Sequence, residues 1–402
     1  MTNPLLYWLW LAERPGCSAK LAHRLLHAFG SPEAIWRADR EQLAAADSLS
    51  RAKLDALADK DLTYARRIAD DCARLHIDIV TADAEQYPRQ LLDLSDAPLV
   101  LYVRGTLPDF EEQLTISVVG TRRATPYGLR AARYFAGNLA QRGCIIVSGM
   151  ARGIDGEAHR AALEAGNVTV AVLGCGVDVC YPWQHEQLMQ RIIRQGAVIS
   201  EYPPGTEPAA RHFPARNRII TGLSRGTLVV EAPKKSGAMI SADLALEQGR
   251  DVFAVPGDIN RPNSAGCNAC IREGGAALVQ TPGDILACYA HPRQPGAPRA
   301  RKPDVRQEEQ LHLDSPEVFA AAPRTMRTLE GGEPERTVWQ AVHSGRHTVD
   351  EIVNETALPA SDVLTALTIL EVGGYVLRVG EGFCAADDVQ LPQQTNEEPN
   401  LG

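Results

Sequence analysis

The run Ile145-Ile146-Val147-Ser148-Gly149-Met150-Ala151-Arg152-Gly153-Ile154-Asp155 compresses a strand, a glycine-bounded turn and a helix start into one stretch. Three β-branched residues favour a pleated, buried conformation, and the two glycines permit a tight turn. Working outward, the same pattern recurs at Thr115 to Gly120, Val168 to Gly174, Ala197 to Tyr202, Thr227 to Ala232, Val252 to Gly257 and Ala277 to Gln280. Helical stretches separate these runs. Strands alternating with helices imply right-handed crossovers and a doubly wound, mostly parallel α/β sheet. Several of the runs are apolar throughout, as strands covered on both faces must be.

Composition changes on both sides of this block. Residues 1–80 read as short helices: Leu21, Leu25, Leu26 and Phe29 share one helical stripe, which Gly30-Ser31-Pro32 ends. The segment Leu26 to Leu43 is similar to a helix-hairpin-helix or SAM-like module. The turn Asp47-Ser48-Leu49-Ser50 lacks the glycines whose amides would hold a phosphate, which favours packing or protein contact. Residues 291–336 are proline-rich with little apolar periodicity and read as a flexible linker. Residues 337–386 read as three short helices and a hairpin at Gly380-Glu381-Gly382, an order that resembles a winged helix. Its third helix, Ser361 to Val372, carries Asp362 and Glu371 and no basic residue, which argues against reading base edges. Residues 387–402 read as a disordered tail. The apolar run Leu5 to Ala12 is too short to span a bilayer, and with no leader pattern the expectation is a cytoplasmic chain without membrane insertion.

The 402 residues carry a formal charge of −9, which at face value opposes a nucleic-acid partner. The charge is unevenly spread: −2 over residues 1–104, +1 over 105–290 and −8 over 291–402. Within the middle block the stretch 211–235 holds six basic residues against one acid, Glu231. Whole-chain charge therefore describes the C-terminal part and says little about the sheet.

In an open parallel sheet the ligand crevice lies beyond the carboxyl ends of the strands. Four glycine-containing loops follow strands: Gly120-Thr121-Arg122-Arg123, Ser148-Gly149-Met150-Ala151-Arg152-Gly153, Gly174-Cys175-Gly176 and Pro233-Lys234-Lys235-Ser236-Gly237. Small residues let backbone amides approach an anion, the next helix presents its positive end, and an Arg or Lys adds full charge. Any one loop is equally read as a tight strand-to-helix turn; four with cations suit a phosphate tract. The segment Arg211-His212-Phe213-Pro214-Ala215-Arg216-Asn217-Arg218 places three arginines and an amide around one aromatic ring. That composition suits gripping a backbone while a base stacks. The alternative is a core Phe213 with the arginines paired to Glu201, Glu207 and Glu231.

Catalytic and cofactor signals are weak. No G-x-G-x-x-G or G-x-x-x-x-G-K-[ST] is present, so neither a dinucleotide nor ATP is expected. Asp155 and His159 fall at i, i+4 and read as a helix cap or site-lining pair ahead of a base or metal site. Cys267 and Cys270 form an isolated C-x-x-C, and the nine cysteines read as reduced thiols. No metal, cofactor or catalytic residue is expected.

Val119-Gly120-Thr121-Arg122, Ser148 to Asp155, Val172 to Asp178 with Tyr181-Pro182, Ser200-Glu201-Tyr202-Pro203, Phe213 to Ile220 and Ser236-Gly237-Ala238 together resemble the DprA/Smf family of bacterial DNA-processing proteins. The likeness covers about 85 to 290 strongly. It implies an extended Rossmann-like domain flanked by the small helical and winged-helix-like domains. It further implies sequence-independent binding and protection of single-stranded DNA, loading of the RecA recombinase during natural transformation, a homodimer and no enzymatic activity. Carried over by position, the DNA contacts would be Gly120, Thr121, Arg122, Ser148, Gly149, Arg152, Gly153, Phe213, Arg216, Asn217, Arg218, Lys234, Lys235, Ser236 and Gly237. The competing class is a lysine-decarboxylase-like nucleoside monophosphate phosphoribohydrolase. Its Pro-Gly-Gly-x-Gly-Thr signature is replaced here by Ala232-Pro233-Lys234-Lys235-Ser236-Gly237-Ala238.

Overall fold

A computed structural model of the chain describes residues 3–290, 327–329, 332–345, 348–379, 382–385 and 389–390. It divides into two compact units, Met1–Pro298 and Arg299–Gly402.

The first unit opens with six helices: α1 (Pro4–Ala12), α2 (Ala19–Phe29), α3 (Pro32–Arg37), α4 (Arg40–Ala46), α5 (Arg51–Ala58) and α6 (Thr63–Leu75). Ser18, Ser31, Asp39 and Ser50 cap α2 to α5 through side-chain oxygens that accept from backbone amides. The stripe read from sequence holds: Leu21 and Leu25 are buried, and α2 stops at Gly30 with φ +83°. The apolar run Leu5 to Ala12 is helix α1, with Leu6 to Leu11 all buried. Its core is continuous with that of the sheet, since Leu9, Trp10 and Leu25 belong to the same apolar cluster as Tyr102, Leu173 and Leu188. In packing terms the helical block is joined to the sheet.

The sheet has nine strands: β1 (Asp78–Thr81), β2 (Val100–Gly105), β3 (Thr115–Val119), β4 (Ile145–Ser148), β5 (Thr169–Leu173), β6 (Ala197–Ser200), β7 (Gly226–Val229), β8 (Asp251–Ala254) and β9 (Ala277–Leu278). Helices α7 (Pro126–Gln141), α8 (Ile154–Glu164), α9 (Glu186–Gln195), α10 (His212–Gly222), α11 (Gly237–Glu247), α12 (Ala265–Arg272) and α13 (Pro282–Ala287) connect or follow them. Strand order is β1-β2-β6-β5-β4-β3-β7-β8-β9. The strands from β3 to β9 pair in parallel, and all seven were expected from their β-branched runs. Strands β1 and β2 pair antiparallel at one edge. They lie outside the sequence reading, and β1 crosses the expected boundary at residue 80. Every residue of β3, β4, β5, β6 and β7 is buried, as helices on both faces require.

In the second unit β10 (Arg327–Thr328) precedes α14 (Glu333–His343), α15 (Val349–Thr356), α16 (Ala360–Val372), the hairpin β11 (Val376–Val379) and β12 (Gly382–Ala385), and β13 (Val389–Gln390). Val338, Trp339, Ile352, Leu367 and Phe383 form its core. The expected linker at 291–336 and tail at 387–402 fall largely outside the described residues. Inside those ranges Arg327–Thr328 pairs in parallel with Val389–Gln390, and α14 begins at Glu333, four residues before the expected start of the helical part at 337. No helix among the described residues is long and apolar enough to cross a membrane.

Candidate functional site

The order in which strands are added reverses at β3: β4, β5 and β6 follow on one side, β7, β8 and β9 on the other. That reversal opens a crevice beyond the ends of β3 and β7. A cavity of about 660 Å³ lies there, lined by Gly120, Thr121, Arg122, Phe213, Asn217 and Ser236 among others. The Thr121 amide donates to Glu231 O at 2.7 Å, tying the two strand-end loops together. The Glu231 carboxylate accepts from the Thr125 amide at 2.9 Å and from its hydroxyl at 2.8 Å. Glu231 is 1% exposed, and a Cβ at Gly128 would stand 2.2 Å from its Oε2. The lone acid of 211–235 is thus turned inward beneath α7.

The turn between β4 and α8 is shaped by Met150 (φ +54°) and Gly153 (φ +76°). Only glycine suits position 153, because a Cβ would sit 2.3 Å from Thr121 O. Asp155 is buried, and its Oδ2 accepts from the Gly149 amide at 3.2 Å. Burial raises its carboxyl, opposed first by the charge of Arg216 and then by hydrogen bonds from the Gly149 and Ala151 amides. Asp155 therefore secures an amide of the turn and lines the cavity, whereas α8 starts after Gly153 with no side-chain cap, so the cap reading does not hold. Ser148 is fully buried, its hydroxyl donating to Val118 O at 2.6 Å.

Two arginines expected to face phosphates have other partners. Arg216 is 5% exposed, and Nη1 donates to Gly149 O at 2.9 Å and to Val172 O. Burial lowers its pKa to about 10, with Asp155 acting in the opposite sense, so it stays charged at neutral pH. Gly149 leaves room for it, since a Cβ there would meet Nη2 at 2.1 Å. Arg218 donates from Nη2 to both Glu201 oxygens at 2.7 and 2.9 Å, and from Nε to Asp96 at 3.0 Å. The physical reason is helical phase: α10 turns Arg216 toward the sheet with Ile219 and Ile220, and Arg218 toward Glu201. The pairing alternative thus holds for Arg218 with Glu201.

The exposed cations lie around the crevice. Arg122, Arg123, Arg152, Lys234 and Lys235 are exposed, and among the described residues none pairs with a carboxylate. The Arg122 guanidinium lies 5.1 Å from the centroid of the Phe213 ring, a cation–π contact. Phe213 meets Tyr181 at 5.3 Å and is half-buried, so part of its ring faces the cavity. Asn217 Nδ2 donates to Gly237 O at 3.3 Å. Ser236 stands at the N-cap position of α11 without a side-chain cap bond, and its hydroxyl is buried without a protein partner beside the cavity. Its position at the positive end of a helix suits an anionic ligand oxygen.

Sequence reading passed over Trp183 and His185, and used Tyr181 only in a motif. An aromatic cluster directly after a strand-end glycine turn, in a chain with 5% aromatic residues, is the signal that marks them. His159 is fully buried. Its Nδ1–H donates to Thr169 Oγ1 at 2.7 Å, because that hydroxyl itself donates to Ile146 O. Burial lowers its pKa to about 3. Cys267 is buried, and burial pushes its thiol up to about 12.

Residues 78–290 match the family model for DNA recombination-mediator protein A, and residues 320–382 match the model of the DprA winged helix domain. The chain belongs to the DNA recombination-mediator protein A family. Protein Smf of Synechocystis sp. (strain PCC 6803) is 34% identical over 380 residues, 92% of this chain and 96% of that one. Protein Smf of Escherichia coli (strain K12) is 39% identical over 310 residues, 76% of each chain. Among solved structures, DNA processing protein A (DprA) from Streptococcus pneumoniae superposes with a TM-score of 0.62 at 34% identity, covering 71% of this chain and 98% of that one. The family match begins at the first residue of β1, so the family's domain includes the antiparallel edge.

Proposed function

We propose that the strand-end crevice binds single-stranded DNA without sequence preference and shields it. The bound strand would then be handed to the RecA recombinase in natural transformation. On this reading the protein is a non-catalytic homodimer. One observation carries the DNA assignment: Arg122 lies over the Phe213 ring on the cavity lining, with the exposed Arg123, Arg152, Lys234 and Lys235 on the strand-end loops, while the nearby acids Asp155 and Glu231 are buried. Backbone phosphates meet exposed charge and a base finds an aromatic face, which is how sequence-tolerant single-strand binders work. Family membership and the likeness to DNA processing protein A support the same reading.

Oligonucleotide binding measured across a salt series tests it. If the five cations each displace a counterion, log K falls against log salt with a slope of about −3.5, roughly a hundredfold between 50 and 200 mM. Arg122→Ala with Arg152→Ala should flatten that slope by about 1.4. Unchanged affinity in this double variant would sink the site assignment. Release of free base from nucleoside monophosphates would overturn the non-catalytic reading in favour of the phosphoribohydrolase.

A further inference from the structure

We infer that the loop after β5 holds a second nucleobase, stacked on the indole of Trp183, in a pocket next to the one over Phe213. This rests on the DNA-binding reading and deepens it, giving the crevice at least two base sites.

Arg122, Tyr181 and Phe213 form a wall that borders two cavities, the one of about 660 Å³ and another of about 300 Å³. The smaller is also lined by Arg123, Arg152 and Trp183. Trp183 is 75% exposed, whereas Trp8, Trp10 and Trp339 are buried. A large ring left in water forfeits much burial free energy, and such rings concentrate where a partner covers them.

The platform is held firmly from below. Trp183 opens a short 3-10 turn ending at His185, and Pro182 and His185 on either side are buried. His185 Nδ1 lies 2.9 Å from Met150 O; a carbonyl only accepts, so this nitrogen carries the proton. Nε2 is then free to accept from Arg160 Nη2 at 3.3 Å. A Cβ at Gly156 would meet His185 Cε1 at 2.6 Å, so the glycine makes room for the ring. The loop is thereby tied to the β4–α8 turn, whose Arg152 is exposed beside the same cavity. A fixed, exposed indole lining one cavity with the guanidiniums of Arg123 and Arg152 matches one base and its flanking phosphates.

The test is titration of the full chain with a labelled oligothymidylate, following label anisotropy and tryptophan emission together. Wild type should show emission quenching that Trp183→Phe abolishes, while Trp183→Phe keeps affinity within about threefold because a ring remains. Trp183→Ala should weaken binding between roughly fivefold and about a hundredfold. An oligonucleotide made only of abasic sites should bind wild type and Trp183→Ala alike. Equal affinity of wild type and Trp183→Ala for the base-bearing strand, with no quenching, overturns this inference and leaves the first pocket standing. Failure of wild type to bind any single strand overturns the DNA-binding reading and this inference with it.

Discussion

Replacing Arg216 by Ala separates two roles that an affinity measurement alone would confuse. Arg216 is 5% exposed and bonded to Gly149 O and Val172 O, and its charge and that of the buried Asp155 favour one another. Removing the guanidinium leaves two buried carbonyls without their donor and Asp155 without its opposing charge, at a cost of about 3 to 5 kcal/mol. At about 2 °C per kcal/mol for a unit of this size, melting should fall by roughly 6 to 10 °C. The assay is urea unfolding followed by circular dichroism, for Arg216→Ala, Asp155→Asn and the double variant. Because the two groups share one network, the double variant should be more stable than the sum of the singles by at least about 1 kcal/mol. Affinity for single strands should fall as well, through the displaced 149–153 turn. If Arg216→Ala unfolds within about 0.5 kcal/mol of wild type yet loses DNA affinity, Arg216 is a phosphate ligand and not a support of the turn.

Gly153→Ala should lose at least about 2 kcal/mol of stability, since φ is +76° and its Cβ would press on Thr121 O; Gly166→Ala, at φ +78° in open space, should lose only about 1 kcal/mol in the same urea assay. Glu13 is half-buried, and burial, then the nearby Glu201 charge, raises its carboxyl from 4.5 to about 7. Its ionised form is therefore disfavoured in the fold: the penalty is fully present above about pH 7 and vanishes below 4.5, where folded and unfolded chains are both protonated. Glu13→Gln should accordingly raise the melting temperature at pH 8 and leave it nearly unchanged at pH 4.5; a gain equal at both values would refute the assignment.

Seven strands, the glycine turns and the winged-helix order were legible because they are local. A β-branched run followed by Gly149 or Gly174 carries its own backbone preference within a few residues. The uneven charge was legible too, since counting needs no structure. Strands β1 and β2 were not legible: four residues at Asp78–Thr81 carry little pattern, and β2 is fixed by antiparallel pairing to β6, remote in sequence. Nor could the sequence sort the arginines. Arg122, Arg152, Arg216 and Arg218 carry the same formal charge, yet the fold leaves the first two in water, buries Arg216 with Asp155 and pairs Arg218 with Glu201 and Asp96. By itself the sequence determined the layered sheet, the loops gathered at the strand ends and where charge accumulates. The tertiary structure alone decided which charges are free for a ligand, because desolvation and pairing depend on groups that only folding brings within a few ångströms.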